Sequence, residues 1–365
     1  MEIPWPNDFS FPYHGNWVAR DRIRDTSSFT RAFVSVEWFD RGCCELAERE
    51  VFAMSLSHQP LMEQFGAEVS GVDLVAEISD DLLDELVDAL YTHSVLLFRG
   101  QHFKPADYAR LLHRFGQPKV ETRKQFNIRD FPVVSTVGNI EAEDGTPLAF
   151  FNRNGEAWHT DGTAACHTNA ATFLHAVEVP KQGGDTMYCS TVYAYETMPE
   201  ELKQKLDGAR MLCSFHAHND KIIARDPDSH AALTPEERAA LPDVWHDIVQ
   251  THPVTGRKSL YMNRQPIGFD GLEEKEGNTI LQQLYEHATQ PHLVYRHRWT
   301  PGDLIVWDNL SSLHSATDIG PYENDRRLMY RSLVYMTPTT HPLVNLDEIN
   351  AIFTDSEGKG ALVLP

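Results

Sequence analysis

The chain has 365 residues, of which 41% are hydrophobic, and this content is sufficient to bury one extended core. Its 53 Asp and Glu outnumber its 32 Lys and Arg, so the formal net charge is −21. Nucleic acids and anionic membranes attract basic surfaces, so this balance argues against either as the main partner.

The first segment, residues 1–58, is rich in aromatic residues and too apolar for a disordered tail. We therefore expect an N-terminal extension that packs on the core or on a second subunit, and a homo-oligomer is compatible with it. The segment lacks the basic and apolar regions of a signal peptide. The five cysteines form no CxxC pair, which favours a reduced, cytoplasmic protein. No apolar run reaches the length of a membrane helix.

Two helices and a strand are predicted next. Ser79 has the side chain of an N-cap, and the leucines after it recur at helical spacing. The apolar run Val95–Phe98 predicts a strand. Pro105 suits the first turn of a second helix, which Gly116 would end.

The middle of the chain alternates between strand and helix character. Strands are predicted at about 133–137 and 171–179, and Gly183-Gly184-Asp185 predicts a turn that places Thr186 at the start of another strand. From about 199 to 290 the pattern is helical and rich in loops, with helical segments at 199–207, 235–241 and 278–288. Such a pattern is typical of an insertion that carries a lid.

Strand character returns in residues 292–299, 304–307 and 327–336. This order of elements predicts an α+β protein with a mainly β core, namely a double-stranded β-helix (jelly roll, cupin-like) braced by helices. The domain boundaries that follow are 1–58 for the extension and 59–365 for the main domain, with the helical and loop insertion inside it.

A His-x-Asp motif, His159-Thr160-Asp161, is followed far downstream by His314. Side chains at i and i+2 of a strand point to the same face, so His159 and Asp161 are predicted to share one strand face. Two imidazoles and a carboxylate form the facial triad that holds Fe(II) and leaves positions open for other ligands. In a chain with 18 histidines one such tripeptide is a weak signal, so the case depends on its context.

That context is a resemblance to the TauD/TfdA family of Fe(II)- and 2-oxoglutarate-dependent dioxygenases, over about three quarters of the chain. Each matching block is short, but their order and spacing are specific. The blocks are Phe65–Leu74, Val95–Gln101, Trp158–Asp161, Gly183–Thr186, Trp307–Asn309 and Arg326–Arg331.

The resemblance implies the roles of individual residues. His159, Asp161 and His314 would bind Fe(II). Thr186 and Arg327 would hold the distal carboxylate of 2-oxoglutarate, to which a guanidinium can offer two parallel hydrogen bonds. Arg326 is expected on the surface, because alternation along the strand separates it from Arg327.

The implied activity is that of an oxidoreductase which uses O2 and 2-oxoglutarate to oxidise an unactivated C–H bond, with release of succinate and CO2. The outcome would be hydroxylation, desaturation or ring formation, because Asp161 occupies the position that related halogenases leave vacant. Arg331 corresponds to the family arginine that contacts an acidic substrate group. A small, anionic organic substrate is therefore expected, such as an organic acid, an amino acid or a natural-product intermediate.

Some positions depart from the taurine-cleaving members. This chain has Gly155 shortly before the His-x-Asp motif, where those enzymes carry asparagine, and Lys119-Val120-Glu121 where they carry a histidine. Both differences argue against taurine. Arg331 could instead pair with a nearby acid and hold its strand. Two other kinds of protein remain open, a non-catalytic jelly-roll metal- or ligand-binding protein and a zinc hydrolase.

Overall fold

A computed structural model describes residues 56–150, 156–163, 169–225, 232–263, 266–318, 325–337 and 346–354. Its helices are α1 (Asp80–His93), α2 (Pro105–Phe115), α3 (Thr191–Thr197), α4 (Glu200–Leu206), α5 (Phe215–Arg225), α6 (Pro235–Ala240), α7 (Glu274–Ala288) and α8 (Leu346–Phe353). The strands of the first half are β1 (Ser57–Pro60), β2 (Ala67–Ser70), β3 (Val95–Phe98), β4 (Gln117–Pro118), β5 (Asn127–Ile128), β6 (Phe131–Gly138), β7 (Glu156–His159), β8 (Ala170–Glu178) and β9 (Thr186–Ser190). Those of the second half are β10 (Arg210–Cys213), β11 (Val244–Asp247), β12 (Val249–Thr251), β13 (Lys258–Leu260), β14 (Gly268–Asp270), β15 (Tyr295–His297), β16 (Leu304–Asp308), β17 (Ser312–Ala316) and β18 (Leu328–Tyr335).

The predicted N-terminal helices form as their local signals indicate. The Ser79 side chain accepts a hydrogen bond from the Leu82 backbone N–H at 3.2 Å and caps α1. Pro105 occupies the first turn of α2, and Gly116 ends that helix. The predicted strand at 95–98 is β3.

Two sheets make up the jelly roll. The larger has the order β1-β2-β3-β16-β8-β18-β6-β5, with β4 added beside β18. The smaller has the order β15-β9-β17-β7. Apart from the parallel pair of β2 and β3, the neighbours within these two sheets are antiparallel. The predicted α+β, mainly β fold is confirmed.

Alternation along β18 separates the two faces of the large sheet. Leu328 and Tyr330 pack in a core with residues of α1 and α2. Met329 packs on the opposite face in a core that also contains Trp307 of β16 and Tyr188 of β9. Helices therefore cover one face, and the small sheet contributes to the core on the other.

The insertion between β9 and β15 contains more strand than its sequence predicts. The helices expected near 199–207, 235–241 and 278–288 are α4, α6 and α7. In addition, β10, β11 and β14 form a small sheet, and β12 pairs with β13. Each of these strands has only three or four residues, too few for an alternating pattern to be recognised.

The predicted extension 1–58 lies outside the described residues apart from its last three positions, so the division at 58/59 stays a prediction. Residue 155 lies outside them as well. No helix in the described parts of the chain is both long and apolar enough to cross a bilayer.

Candidate metal centre

The side chains of His159, Asp161 and His314 converge at one point. We refer to these three residues, which could hold one metal ion, as the metal cluster. Each offers one ligand atom, and these atoms lie within 4.8 Å of one another. Asp161 Oδ1 is 3.8 Å from His159 Nε2, and Asp161 Oδ2 is 3.7 Å from His314 Nε2. The structure thus brings together the three residues that the sequence singled out.

Strand pairing explains how such distant residues meet. In the antiparallel pair of β7 and β17, His159 lies directly opposite His314. Opposed side chains in such a pair point to the same face of the sheet. The two imidazole centroids are consequently only 4.1 Å apart.

The prediction that His159 and Asp161 share one strand face is wrong. Strand β7 ends at His159, and Asp161 begins a turn in which Gly162 has φ +76°. The Asn309 side chain accepts a hydrogen bond from the Asp161 backbone N–H at 3.2 Å, and the Thr160 hydroxyl donates to the Asn309 carbonyl at 2.6 Å. These contacts take the place of strand pairing and turn the Asp161 carboxylate toward the histidines.

Asn309 also connects Asp161 to the large sheet. Its side-chain oxygen accepts from Trp307 Nε1 at 3.1 Å, and its Nδ2 donates to Thr172 Oγ1 at 2.9 Å. The Thr172 hydroxyl in turn donates to Asp161 Oδ2 at 2.8 Å. From the sequence, Asn309 has no predicted role beyond its place in a matching block, and Thr172 is not singled out, because hydrogen bonds of this kind depend on tertiary structure.

The protonation states suit a cation. The His159 Nδ1–H donates to the Ala157 carbonyl at 2.7 Å, so Nε2 is the ring nitrogen that faces Asp161. Burial, followed by the nearby His159, lowers the pKa of His314 well below its usual value, so His314 is neutral. Burial alone would raise the pKa of Asp161, but Arg331 and then the two histidines outweigh it and hold that pKa below its usual range. An ionised Asp161 carboxylate therefore faces the neutral imidazole of His314.

Thr186 and Arg327 both influence Tyr188, the residue that pairs with His314. Thr186 begins β9 and is buried, and its hydroxyl accepts a hydrogen bond from Trp299 Nε1 at 3.0 Å. Tyr188, two residues further along β9, lies opposite His314 of β17. Burial raises the pKa of Tyr188 well above its usual value, while Thr186 and the charge of Arg327 act in the lowering direction. Tyr188 therefore connects both residues to the candidate metal centre.

Arg327 differs sharply from its neighbour. Its side chain is buried, and its backbone N–H donates to Asn139 Oδ1 at 2.7 Å. The Arg326 side chain is 62% exposed and pairs with Glu178 at 2.7 Å, on the surface as expected.

Arg331 contacts the metal cluster directly. Its Nη2 lies 2.8 Å from Asp161 Oδ1, and its Nη1 lies 2.6 Å from Glu121 Oε1. Lys119 Nζ is 3.3 Å from the other oxygen of Glu121. The sequence pointed to the Lys119–Glu121 segment only as a departure from a family pattern, and the structure places it at the metal site.

Comparison with known proteins agrees with this geometry. A relative described as alpha-ketoglutarate-dependent 2,4-dichlorophenoxyacetate dioxygenase, from Cupriavidus pinatubonensis, is 33% identical over 72% of this chain and 92% of its own length. Pentalenolactone F synthase of Streptomyces avermitilis is 30% identical over 76% of this chain and 93% of its own length. The crystal structure of AAD-2 in complex with Mn(II) and N-oxalylglycine matches with a TM-score of 0.65 at 27% identity, over 80% of this chain and all of that one.

The matching family is described as taurine catabolism dioxygenase TauD, TfdA family, and its sequence model covers residues 57–333. That span contains both sheets of the jelly roll except the last two residues of β18, together with the insertion, the three converging side chains and all three arginines of the 326–331 segment. The chain belongs to the TauD/TfdA family.

Proposed function

We propose that this protein is an Fe(II)- and 2-oxoglutarate-dependent dioxygenase that oxidises an unactivated C–H bond of a small anionic organic substrate. The observation that carries the proposal is the convergence of His159, Asp161 and His314 in a member of the TauD/TfdA family. Two relatives support the substrate class, since one is named for a phenoxyacetate and the other for the natural product pentalenolactone F.

The residues at the cluster fit iron. Imidazole nitrogens and a carboxylate oxygen are the ligand set that suits Fe(II) with positions left open. When bound, Fe(II) and 2-oxoglutarate supply the oxidation: one atom of O2 enters succinate as CO2 leaves, and in a hydroxylation the other enters the substrate C–H bond. Thr172 and Asn309 would hold Asp161 in place for this chemistry.

The co-substrate would lie between the metal and Arg327. The buried guanidinium of Arg327 suits the distal carboxylate of 2-oxoglutarate, because a charge-assisted pair is strong where water is excluded. The Thr186 hydroxyl can donate to the same carboxylate while it accepts from Trp299. Trp307 and Tyr188 flank the His314 ring and limit the access of water.

Arg331 is proposed to meet the acidic group of the substrate. It lies on β18, four residues after Arg327, which immediately precedes that strand, so its backbone is displaced by roughly 13 Å along the chain direction. One arginine can therefore serve 2-oxoglutarate while the other serves a second anion beside the metal. Its contacts with Asp161 and Glu121 also stabilise β18, and substrate binding and stabilisation of the strand are compatible roles.

A metal-dependent succinate assay tests the proposed function. The purified protein, reconstituted with Fe(II), is expected to release succinate from 2-oxoglutarate, and a panel of organic acids screened for mass change is expected to yield an oxidised product. Ligand binding without succinate release would favour the non-catalytic jelly-roll protein. Hydrolysis that depends on zinc and not on 2-oxoglutarate would favour the zinc hydrolase.

A cytoplasmic location is proposed from the cysteines. Cys189 and Cys213 are buried free thiols, which suits a reducing compartment. Mass analysis after labelling with a thiol reagent under denaturing conditions is expected to show both residues modified without prior reduction.

A further inference from the structure

Glu121, beside Arg331 at the candidate site, is a charged group that has no role in holding the metal. Glu121 receives the second nitrogen of Arg331 at 2.6 Å on one oxygen and Lys119 at 3.3 Å on the other. The three side chains retain between 15% and 23% of their exposure, so they are mostly buried and partly reached by solvent. We refer to Lys119, Glu121 and Arg331 as the charged triad.

The backbone around the charged triad is fixed by three independent contacts. The Lys119 N–H donates to the Leu333 carbonyl at 2.8 Å, and the Val120 N–H donates to Asn350 Oδ1 at 2.9 Å. Asn127 Nδ2 donates to the Glu121 carbonyl at 3.0 Å. Glu121 is therefore held beside Arg331 before any ligand binds, which is the preorganisation expected of a binding site.

The charges of the triad do not suit a plain carboxylic acid. Arg331 already bridges two carboxylates, Asp161 and Glu121. An anion that approaches Arg331 displaces water from Glu121 as well, and a carboxylate that loses its water must regain hydrogen bonds. A substrate that brings only acceptors would leave Glu121 repelled and incompletely bonded. A substrate with a donor next to its acid group would satisfy Arg331, Lys119 and Glu121 together.

We infer that the charged triad binds the headgroup of the substrate and selects a small organic acid that carries a hydroxyl or amine donor beside its acid group. This inference rests on the proposed dioxygenase function. With Asp161 committed to a divalent metal, the triad carries one net positive charge, which a singly charged hydroxy acid balances. The hydroxy acid is therefore the preferred member of the class, ahead of an amino acid, whose net charge is zero.

Binding to an inactive complex tests the inference without turnover. The protein is loaded with Mn(II) and N-oxalylglycine, and calorimetry compares 2-hydroxy-3-phenylpropanoate with 3-phenylpropanoate and 2-hydroxyhexanoate with hexanoate; phenylalanine is the amine probe. A hydrogen bond to a charged acceptor should make a hydroxy acid bind about tenfold tighter than its partner. Equal or tighter binding of the plain acids, or binding of no member of the panel, overturns the inference.

Two variants test which residues of the charged triad cause the preference for the hydroxy acid over the plain acid. Glu121→Gln is expected to reduce the preference of about tenfold to within about twofold, because the neutral amide relieves the repulsion of the plain acid. Lys119→Met is expected to weaken the binding of both acids and to leave the preference between them unchanged. This variant still tests the charged triad if Glu121→Gln does not fold. The matched control is Glu178→Gln, which removes a carboxylate from Arg326 on the surface and should change neither acid.

The failure of this inference differs from the failure of the proposed function. Binding of Mn(II) and N-oxalylglycine with no donor preference overturns the headgroup assignment alone. Absence of Mn(II)-dependent N-oxalylglycine binding contradicts the proposed function, and the headgroup assignment then falls with it. A donor preference that survives unchanged in Glu121→Gln also overturns the role of Glu121.

Discussion

The metal cluster and the charged triad lie next to each other but are held by different forces. At the metal cluster, strand pairing sets His159 opposite His314, and hydrogen bonds with the uncharged side chains of Asn309 and Thr172 orient Asp161. At the charged triad, ion pairs hold the three side chains next to one another. Backbone pairing fixes a geometry that tolerates few changes, whereas the charge of an ion-pair cluster can be changed by one substitution. The first region suits a constant reaction, and the second suits selection of a substrate.

Asp161 belongs to the metal cluster and also pairs with Arg331 of the charged triad, so its replacement should have the largest effect. Asp161→Ala removes a metal ligand and leaves Arg331 with one carboxylate instead of two. We expect loss of 2-oxoglutarate turnover with a fold close to that of the wild type, because the sheets hold the site. Succinate release and circular dichroism measure the two quantities. Coupled substrate oxidation at the wild-type rate would refute the metal assignment.

Arg327 should have the next largest effect, and it acts on the co-substrate side of the metal cluster. Arg327→Ala removes a buried charged partner, which costs on the order of 2–5 kcal/mol in 2-oxoglutarate binding when the pair is desolvated. The apparent affinity for 2-oxoglutarate, measured by succinate release over a range of concentrations, reports this loss. An unchanged affinity would remove Arg327 from the co-substrate site.

Asn309→Ala tests whether neutral hydrogen bonds really hold the metal cluster. The variant loses the contacts to the Asp161 backbone and to Thr172, and loss of such supporting contacts weakens metal binding by about 10- to 100-fold. Thr172→Val keeps the side-chain shape and removes the bonds to Asp161 Oδ2 and from Asn309 Nδ2, but Asn309 still bonds the Asp161 backbone, so a smaller loss is expected. Titration with Mn(II) compares the two variants. Wild-type metal affinity in both would show that strand pairing alone is sufficient.

Arg326→Ala should have the smallest effect and serves as the control for Arg327→Ala. The Arg326 and Glu178 pair is on the surface, where such pairs contribute less than about 1 kcal/mol. The midpoint temperature of thermal unfolding is expected to change little, and the affinity for 2-oxoglutarate should equal that of the wild type. A loss as large as that in Arg327→Ala would mean that the segment acts through its general charge, not through one placed guanidinium.

Local chemistry made several elements predictable from the sequence. A serine hydroxyl can cap a helix and proline fits its first turn, so Ser79 and Pro105 marked the starts of α1 and α2. The strands of the insertion were not predicted, because segments of three residues such as Lys258–Leu260 form through pairing with a partner and not through their own pattern.

By itself, the sequence determined the ligand types of the candidate metal centre and the order of the blocks that identify the family. His159, Asp161 and His314 could be named because imidazole and carboxylate chemistry is a property of the residue. Only the tertiary structure decided that Asp161 lies in a turn held by Asn309, and that Arg331 shares its guanidinium between Asp161 and Glu121. Hydrogen bonds and ion pairs depend on distances of about 3 Å between residues far apart in the chain, and such distances are set by how the strands pair.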